Sequence, residues 1–197
     1  NRVLIVSYVA VSAATSSVTY GGQSMTVFDT GAEDSYYNDA YYLIDPPTGA
    51  NDVVCNFASN TGGRSASAIT LKDARQTVSP INVEGLSDSY PTSVALKQTT
   101  VTTTVNNTLN FTVSAITNTS TGVTQDTGQT EQINLATNNP IINVGTEPQA
   151  SFGSYTGGVS WTTANLCTQR VFAVIESIAA PAVTTRRTDL SLLGIVQ

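Results

Sequence analysis

Short runs of β-branched and aromatic residues, each closed by glycine, proline or asparagine, recur along the whole chain. No stretch keeps the three-to-four-residue spacing of an amphipathic helix. The opening run Arg2–Val11 (RVLIVSYVAV) sets the pattern. It is apolar at consecutive positions, which predicts a central strand buried on both faces rather than one with a wet side. Residues 17–20 lead into Gly21-Gly22, a pair suited to a hairpin turn, and residues 24–28 form the return strand. Residues 29–39 read as an acidic, polar connection. An aromatic strand at 41–44 stops at Asp45-Pro46-Pro47-Thr48-Gly49, and residues 52–57 alternate Val53, Cys55 and Phe57 against Val54 and Asn56.

Further along, residues 65–71 predict a short strand and 78–85 a proline-bounded connection. Residues 94–105 and 109–116 flank Asn106-Asn107 and predict a half-buried hairpin with one solvated face, because Leu109, Phe111, Val113 and Ala115 alternate with polar residues. A polar loop follows at 117–130, then shorter strands at 133–135, 151–155 and 159–162, and a strong one at 167–178. Many strands at short spacing, with no long helix, predict an all-β antiparallel sandwich of jelly-roll-like form. Residues 1–178 make one domain of a size that folds without a metal, and Pro181 opens a separate tail, 179–197.

Composition narrows the functional classes. Charged residues are 11% of the chain, with only two lysines, Lys72 and Lys97, and the net charge is −6. That balance excludes a nucleic-acid partner, whose phosphates require a basic surface. No apolar run is long enough to predict membrane insertion, and no stretch reads as a signal peptide. The opening at Asn1, directly into an apolar strand, reads as a processed or partial chain. With no histidine, Ser-His-Asp and Cys-His catalytic sets and imidazole zinc sites are excluded, and a non-enzymatic role is expected. Cys55 and Cys167 leave two readings open. They form a disulfide closing a long loop, which stabilises by about 4–5 kcal/mol in the chain-entropy account, or they are two separately buried thiols.

The stretches Asn1-Arg2-Val3-Leu4-Ile5-Val6 and Val18-Thr19-Tyr20-Gly21-Gly22-Gln23-Ser24-Met25-Thr26 resemble a β-sandwich module of bacterial secreted and surface proteins and of phage structural proteins. The likeness continues through Tyr41-Tyr42-Leu43-Ile44 with its Pro46-Pro47-Thr48-Gly49 turn, and through Trp161 and residues 171–176. It covers residues 1–178. The resemblance implies a jelly-roll-like accessory or structural unit on an extracellular surface, cell surface or virion, and implies no reaction. The module carries one more strand ahead of its N-R-x-L strand. Its lack here implies an unpaired sheet edge near Asn1.

Three constellations are candidates for binding. Asp29, Glu33, Asp34 and Asp39 gather carboxylates in one segment, the donor type that calcium takes, without the spacing of an EF-hand. Tyr36, Tyr37 and Tyr41 offer flat faces on which a glycan ring can stack, with core packing as the competing role. Asn106, Asn110 and Asn118 each open an N-x-S/T glycosylation acceptor. The tail adds a fourth candidate. Leu190, Leu192, Leu193, Ile195 and Val196 are too apolar to stand in water, so residues 188–197 either pack on their own domain or add as a strand to a neighbour. The expected function is therefore a structural building block or decoration module that meets copies of itself or a neighbouring subunit through β-edges. The alternative is a carbohydrate-binding, lectin-like module assisted by calcium.

Overall fold

The structure is a computed structural model that describes residues 1–11, 15–30, 32–33, 36–57, 62–76, 78–89, 92–117, 121–135 and 139–176, with the backbone alone at Asp29, Ala32 and Glu33. The described residues form an antiparallel β-sandwich without a helix.

Sixteen strands are present among them. In the first part of the chain lie β1 (Arg2–Val11), β2 (Thr15–Tyr20), β3 (Gln23–Ser24), β4 (Thr26–Asp29), β5 (Ala32–Glu33), β6 (Tyr36–Ile44), β7 (Val53–Phe57) and β8 (Arg64–Lys72). The remainder holds β9 (Ile81–Asp88), β10 (Val94–Thr103), β11 (Thr108–Ile116), β12 (Thr124–Gln125), β13 (Thr130–Asn134), β14 (Ile141–Gln149), β15 (Gly153–Asn165) and β16 (Cys167–Ile175). They build four sheets, each confined to one half of the chain. The order β4-β6-β1-β8, with β5 beside β6, makes the first inner sheet, and β3-β2-β7 covers its outer face. The order β13-β14-β11-β16-β9 makes the second inner sheet, and β10-β15-β12 covers that one.

The layering follows from the residues. Along β1, Val3, Ile5 and Val9 join Leu109, Phe111, Val113, Ile142, Val144, Phe172 and Val174 in the core between the two inner sheets. The alternate residues Leu4 and Val6 turn the other way, against Val18, Met25 and Tyr41 under the small outer sheet. All of β1 except its two end residues is buried, as its unbroken apolar run predicts. Aromatic rings fill the middle layer: Phe172 stacks on Phe111 with centroids 4.9 Å apart and takes Phe28 edge-on at 4.9 Å.

Between the second inner sheet and its cover the contacts are mixed. Ile116, Ile141, Val159, Trp161 and Cys167 form one apolar cluster, and Val101, Tyr155 and Val171 another. Beside them Asn110 Nδ2 donates to Gln149 Oε1 at 3.0 Å, Gln169 Nε2 donates to Ser114 Oγ at 3.1 Å, and the Thr112 and Tyr155 hydroxyls meet at 3.0 Å. Gly157 in β15 lets the two sheets approach, because a Cβ there would collide with the Thr112 hydroxyl and Val171.

Several expectations are corrected. β10 and β11 are not a hairpin: β10 pairs with β15, while β11 lies between β14 and β16, so Asn106-Asn107 turns the chain from one sheet to another. β11 has no solvated face, since every one of its residues is buried. Residues 81–88 are the edge strand β9 and not a connection, and residues 153–165 are one strand rather than two. The segment expected as an acidic loop already contains β5 and the start of β6. No open edge lies at β1, which is hydrogen-bonded to β6 on one side and β8 on the other; the edge is β8, one strand further out. The Gly21-Gly22 hairpin is present, with φ of 55° and 79°, both in the left-handed region that glycine tolerates.

One buried charge ties the inner sheets together. Arg170, on β16, is fully buried; its Nε donates to the Asn38 carbonyl at 2.7 Å and its Nη1 meets Glu84 Oε2 at 3.0 Å. Asn38 Nδ2 in turn donates to the Val113 carbonyl at 3.1 Å, so β6, β11 and β16 are laced by polar groups inside an apolar layer. Removing Arg170 leaves the Asn38 carbonyl without this donor and a cavity in the layer, while the exposed Glu84 carboxylate returns to water. Arg170→Ala is expected to cost about 2–5 kcal/mol in chemical denaturation, from the cavity and the lost hydrogen bonds. Arg170→Met, which keeps volume without charge, is expected to cost clearly less; equal losses would contradict a charge held by its partners.

Candidate functional site

The antiparallel pairings place strand ends at two poles. Asn1 and Glu176 lie at one: the Asn1 carbonyl accepts from Asp73 N, and Glu176 bridges to Ala74. At the other pole β1 ends beside the start of β6 (Val11 opposite Tyr36), and β11 ends between Ile141 and Cys167. There Val94, at the start of β10, lies opposite Asn165, at the end of β15. A half-open cleft of about 270 Å³ sits where these ends meet.

Its walls come from separate sheets. Val11 and Tyr36 border it from the first inner sheet, Thr117 and Asn139 from the ends of the second, and Ser93, Asn165 and Leu166 from the cover. Thr117 and Asn165 are more than nine-tenths buried, with 7% and 9% of their surfaces exposed. The Thr117 backbone N–H donates to the Leu166 carbonyl at 3.0 Å, and its hydroxyl donates to the same oxygen at 3.3 Å. Thr117 is thereby fixed with its oxygen lone pairs left for a further donor. Tyr36 is half-buried, and Asn139 is exposed at the rim. Among the described residues, no lining side chain carries a charge.

The expected aromatic platform does not assemble. Tyr36 borders the cleft, but Tyr37 points to the other face of β6, and Tyr41 is in the core with 4% of its surface exposed. Burial raises the Tyr41 hydroxyl above its usual range, and the neighbouring Asp39 carboxylate raises it further. Asp39 is also lost to any external cation: it is buried in mid-strand, and its Oδ2 accepts from the Thr15 backbone N–H at 3.2 Å and from its hydroxyl at 2.9 Å. The backbones of Asp29 and Glu33 belong to β4 and β5, while their side chains, and Asp34 altogether, lie outside the described residues. Among the described residues no three His, Cys, Asp or Glu side chains converge as a metal site. Of the glycosylation acceptors, Asn110 is wholly buried and bonded to Gln149, Asn106 is exposed in its turn, and Asn118 lies outside the described residues. The tail residues Leu190, Leu192, Leu193, Ile195 and Val196 also lie outside them.

The cleft residues other than Tyr36 were not legible beforehand. Each sits at a strand end or just beyond it, in a run of Ser, Thr and Asn that reads as turn chemistry. What joins them is strand register, which a linear pattern does not carry. No family model, curated protein or solved structure matches the chain.

Cys55 and Cys167 are separate thiols, not a disulfide. Cys55 packs with the cluster under the small outer sheet, and Cys167 belongs to the cluster between the second inner sheet and its cover, with two sheets between them. Burial pushes the Cys55 thiol from 9.0 up to about 11, and raises Cys167 further. The folded chain therefore holds the Cys55 proton where the unfolded chain has released it. That contribution is intact below pH 9.0 and is lost as pH climbs toward about 11. The thermal midpoint is expected to fall across that window, and Cys55→Ala is expected to flatten the fall. Parallel profiles for the two proteins would contradict it.

Proposed function

We propose that the chain is a non-enzymatic structural building block or decoration module of an extracellular filament, cell surface or virion, joining copies of itself or a neighbouring subunit through β-edge pairing. The observation that carries this reading is β8. It is a nine-residue edge strand, bonded to β1 on one side and, among the described residues, to no strand on the other. Its charges stand only at its ends, Arg64 and Lys72, and serine and alanine dominate between them. Edge strands in self-contained domains are commonly blunted by inward charges, proline or a bulge. Here the register with β1 runs without a break from Arg2↔Lys72 to Ala10↔Arg64.

The tail is the occupant that fits. The described chain ends at Glu176, bridged to Ala74 immediately beyond β8, with the Arg75 N–H bonded to the Ile175 carbonyl at 3.0 Å. A segment leaving from there and running along β8 would lie antiparallel to it. Residues 188–197 match β8 in length, and the eleven residues before them are more than a tight return needs. That slack favours delivery to the β8 of a second copy, with main-chain hydrogen bonds supplying the affinity.

Light scattering and negative-stain imaging test this directly. The full chain is expected to self-associate with rising concentration. Deletion of residues 188–197, and separately Leu193→Asp, are expected to leave monomers with unchanged far-ultraviolet circular dichroism. An assembly state that is the same with and without the tail would sink the proposal. Among the described residues, the alternative carbohydrate-binding reading keeps one place, the cleft beside Tyr36.

A further inference from the structure

We infer that the pole carrying Asn1 and Glu176 is a self-complementary interface for a second copy of this chain, so that tail exchange closes a two-fold dimer instead of extending an open row. The inference rests on the pairing of the tail with β8 proposed above, and it names the face and the geometry of that pairing. Direction decides it. β8 runs toward this pole and ends there at Lys72, opposite Arg2 at the start of β1. A tail strand antiparallel to β8 therefore begins at the acceptor's Lys72 end, and it leaves its own copy beside Ala74, at the same pole. The short route between those two points sets like pole against like pole. In a head-to-tail row, the residues before the tail strand would have to run back along a whole domain. β1 alone has ten residues, about 33 Å of strand. The eleven residues 177–187 reach at most about 36–40 Å, so they would cover that path only when fully drawn out.

The face suits a copy of itself. Exposed apolar side chains flank the point where the tail leaves: Phe152, with 66% of its surface exposed, and Val78, with 51%. Short hydrogen-bonded steps tie both to that exit. The Glu176 N–H donates to the Asn107 carbonyl at 3.0 Å, and the Asn107 N–H donates to the Ala150 carbonyl at 3.2 Å. The Phe152 N–H donates to Asn106 Oδ1 at 2.9 Å, so its ring stands on a pinned turn. On the other flank the Ile175 N–H donates to the Pro80 carbonyl at 2.7 Å, two residues beyond Val78. Charges of both signs share this pole, Arg2, Lys72 and Arg75 with Asp45, Asp73 and Glu176. An isologous contact needs that mixture, because a two-fold axis sets the face against itself and a face of one sign would repel its copy. An exposed aromatic ring beside the exit supplies the central anchor of such a contact.

The test combines light scattering with distances between spin labels, on the full chain. Its mass is expected to rise with concentration and to level off at two copies. Labels go on Ser151→Cys, beside Phe152, or on Ser93→Cys, exposed at the opposite pole, in a Cys55→Ala background where the remaining Cys167 is buried. The two labels at 151 are expected within one strand length of each other, about 33 Å, and the two at 93 beyond about 50 Å. Phe152→Asp is expected to raise the dimer dissociation constant by about tenfold or more. Leu96→Asp, also exposed but on the covering sheet, is expected to leave it unchanged. Tail-dependent assembly that grows past two copies would overturn the inference and leave the tail–β8 pairing standing. So would labels at 151 as far apart as those at 93, or a Phe152→Asp dimer as tight as the parent's. Assembly unchanged by deletion of residues 188–197 would overturn both.

Discussion

Burial of β1 and β11 on both faces is the constraint on which the rest of the molecule depends. A strand with two dry faces needs a partner sheet on each side, and the chain supplies both for each strand. The two inner sheets meet over Phe28, Phe111 and Phe172, and each is capped by a smaller sheet from its own half of the chain. Apolar contact supplies most of the stabilisation. Alignment of the inner layers is fixed by direction-sensitive groups, chiefly Arg170 with Asn38 and Glu84. Those bonds form only in one register, so they select among arrangements that apolar packing alone would tolerate.

Much of the fold was legible in the sequence where a residue's pattern has one physical cause. The unbroken apolar run of β1 admits little except a doubly buried strand, and Gly21-Gly22 admits a tight hairpin. The pattern of β11 has two causes. Leu109, Phe111, Val113 and Ala115 alternate with Asn110, Thr112 and Ser114, and such alternation arises equally when the polar face meets water or meets the polar side chains of another sheet. Here Tyr155 of the covering sheet, with Gln149 and Gln169 on the strands flanking β11, takes the place of water. The same ambiguity misplaced Asp39 and Tyr41. A carboxylate in an acidic segment reads as solvated, yet the Thr15 N–H and hydroxyl pair with it inside the protein. Long-range pairing was the second blind spot, because β10 and β11 are neighbours in sequence and belong to different sheets.

The two poles differ in what they carry. One carries Asn1, Glu176 and the beginning of the tail, next to the end of the unblunted edge strand β8. The other carries strand ends from three sheets and a cleft whose described lining residues are uncharged. An extracellular building block or decoration, the role proposed above, would attach by the first pole and present the second. Such a role asks for rigid packing and for surfaces rather than reactive groups.

Native-state hydrogen exchange on the monomeric, tail-deleted chain tests the central claim most directly. If β1 and β11 are sealed on both faces by stacked sheets, their amides exchange only through global opening and are the slowest in the protein. The amides of β8 that face away from β1 exchange rapidly under the same conditions. Protection in β11 no greater than in β8 would contradict the four-layer account, since it would mean that the polar face of β11 is open to water.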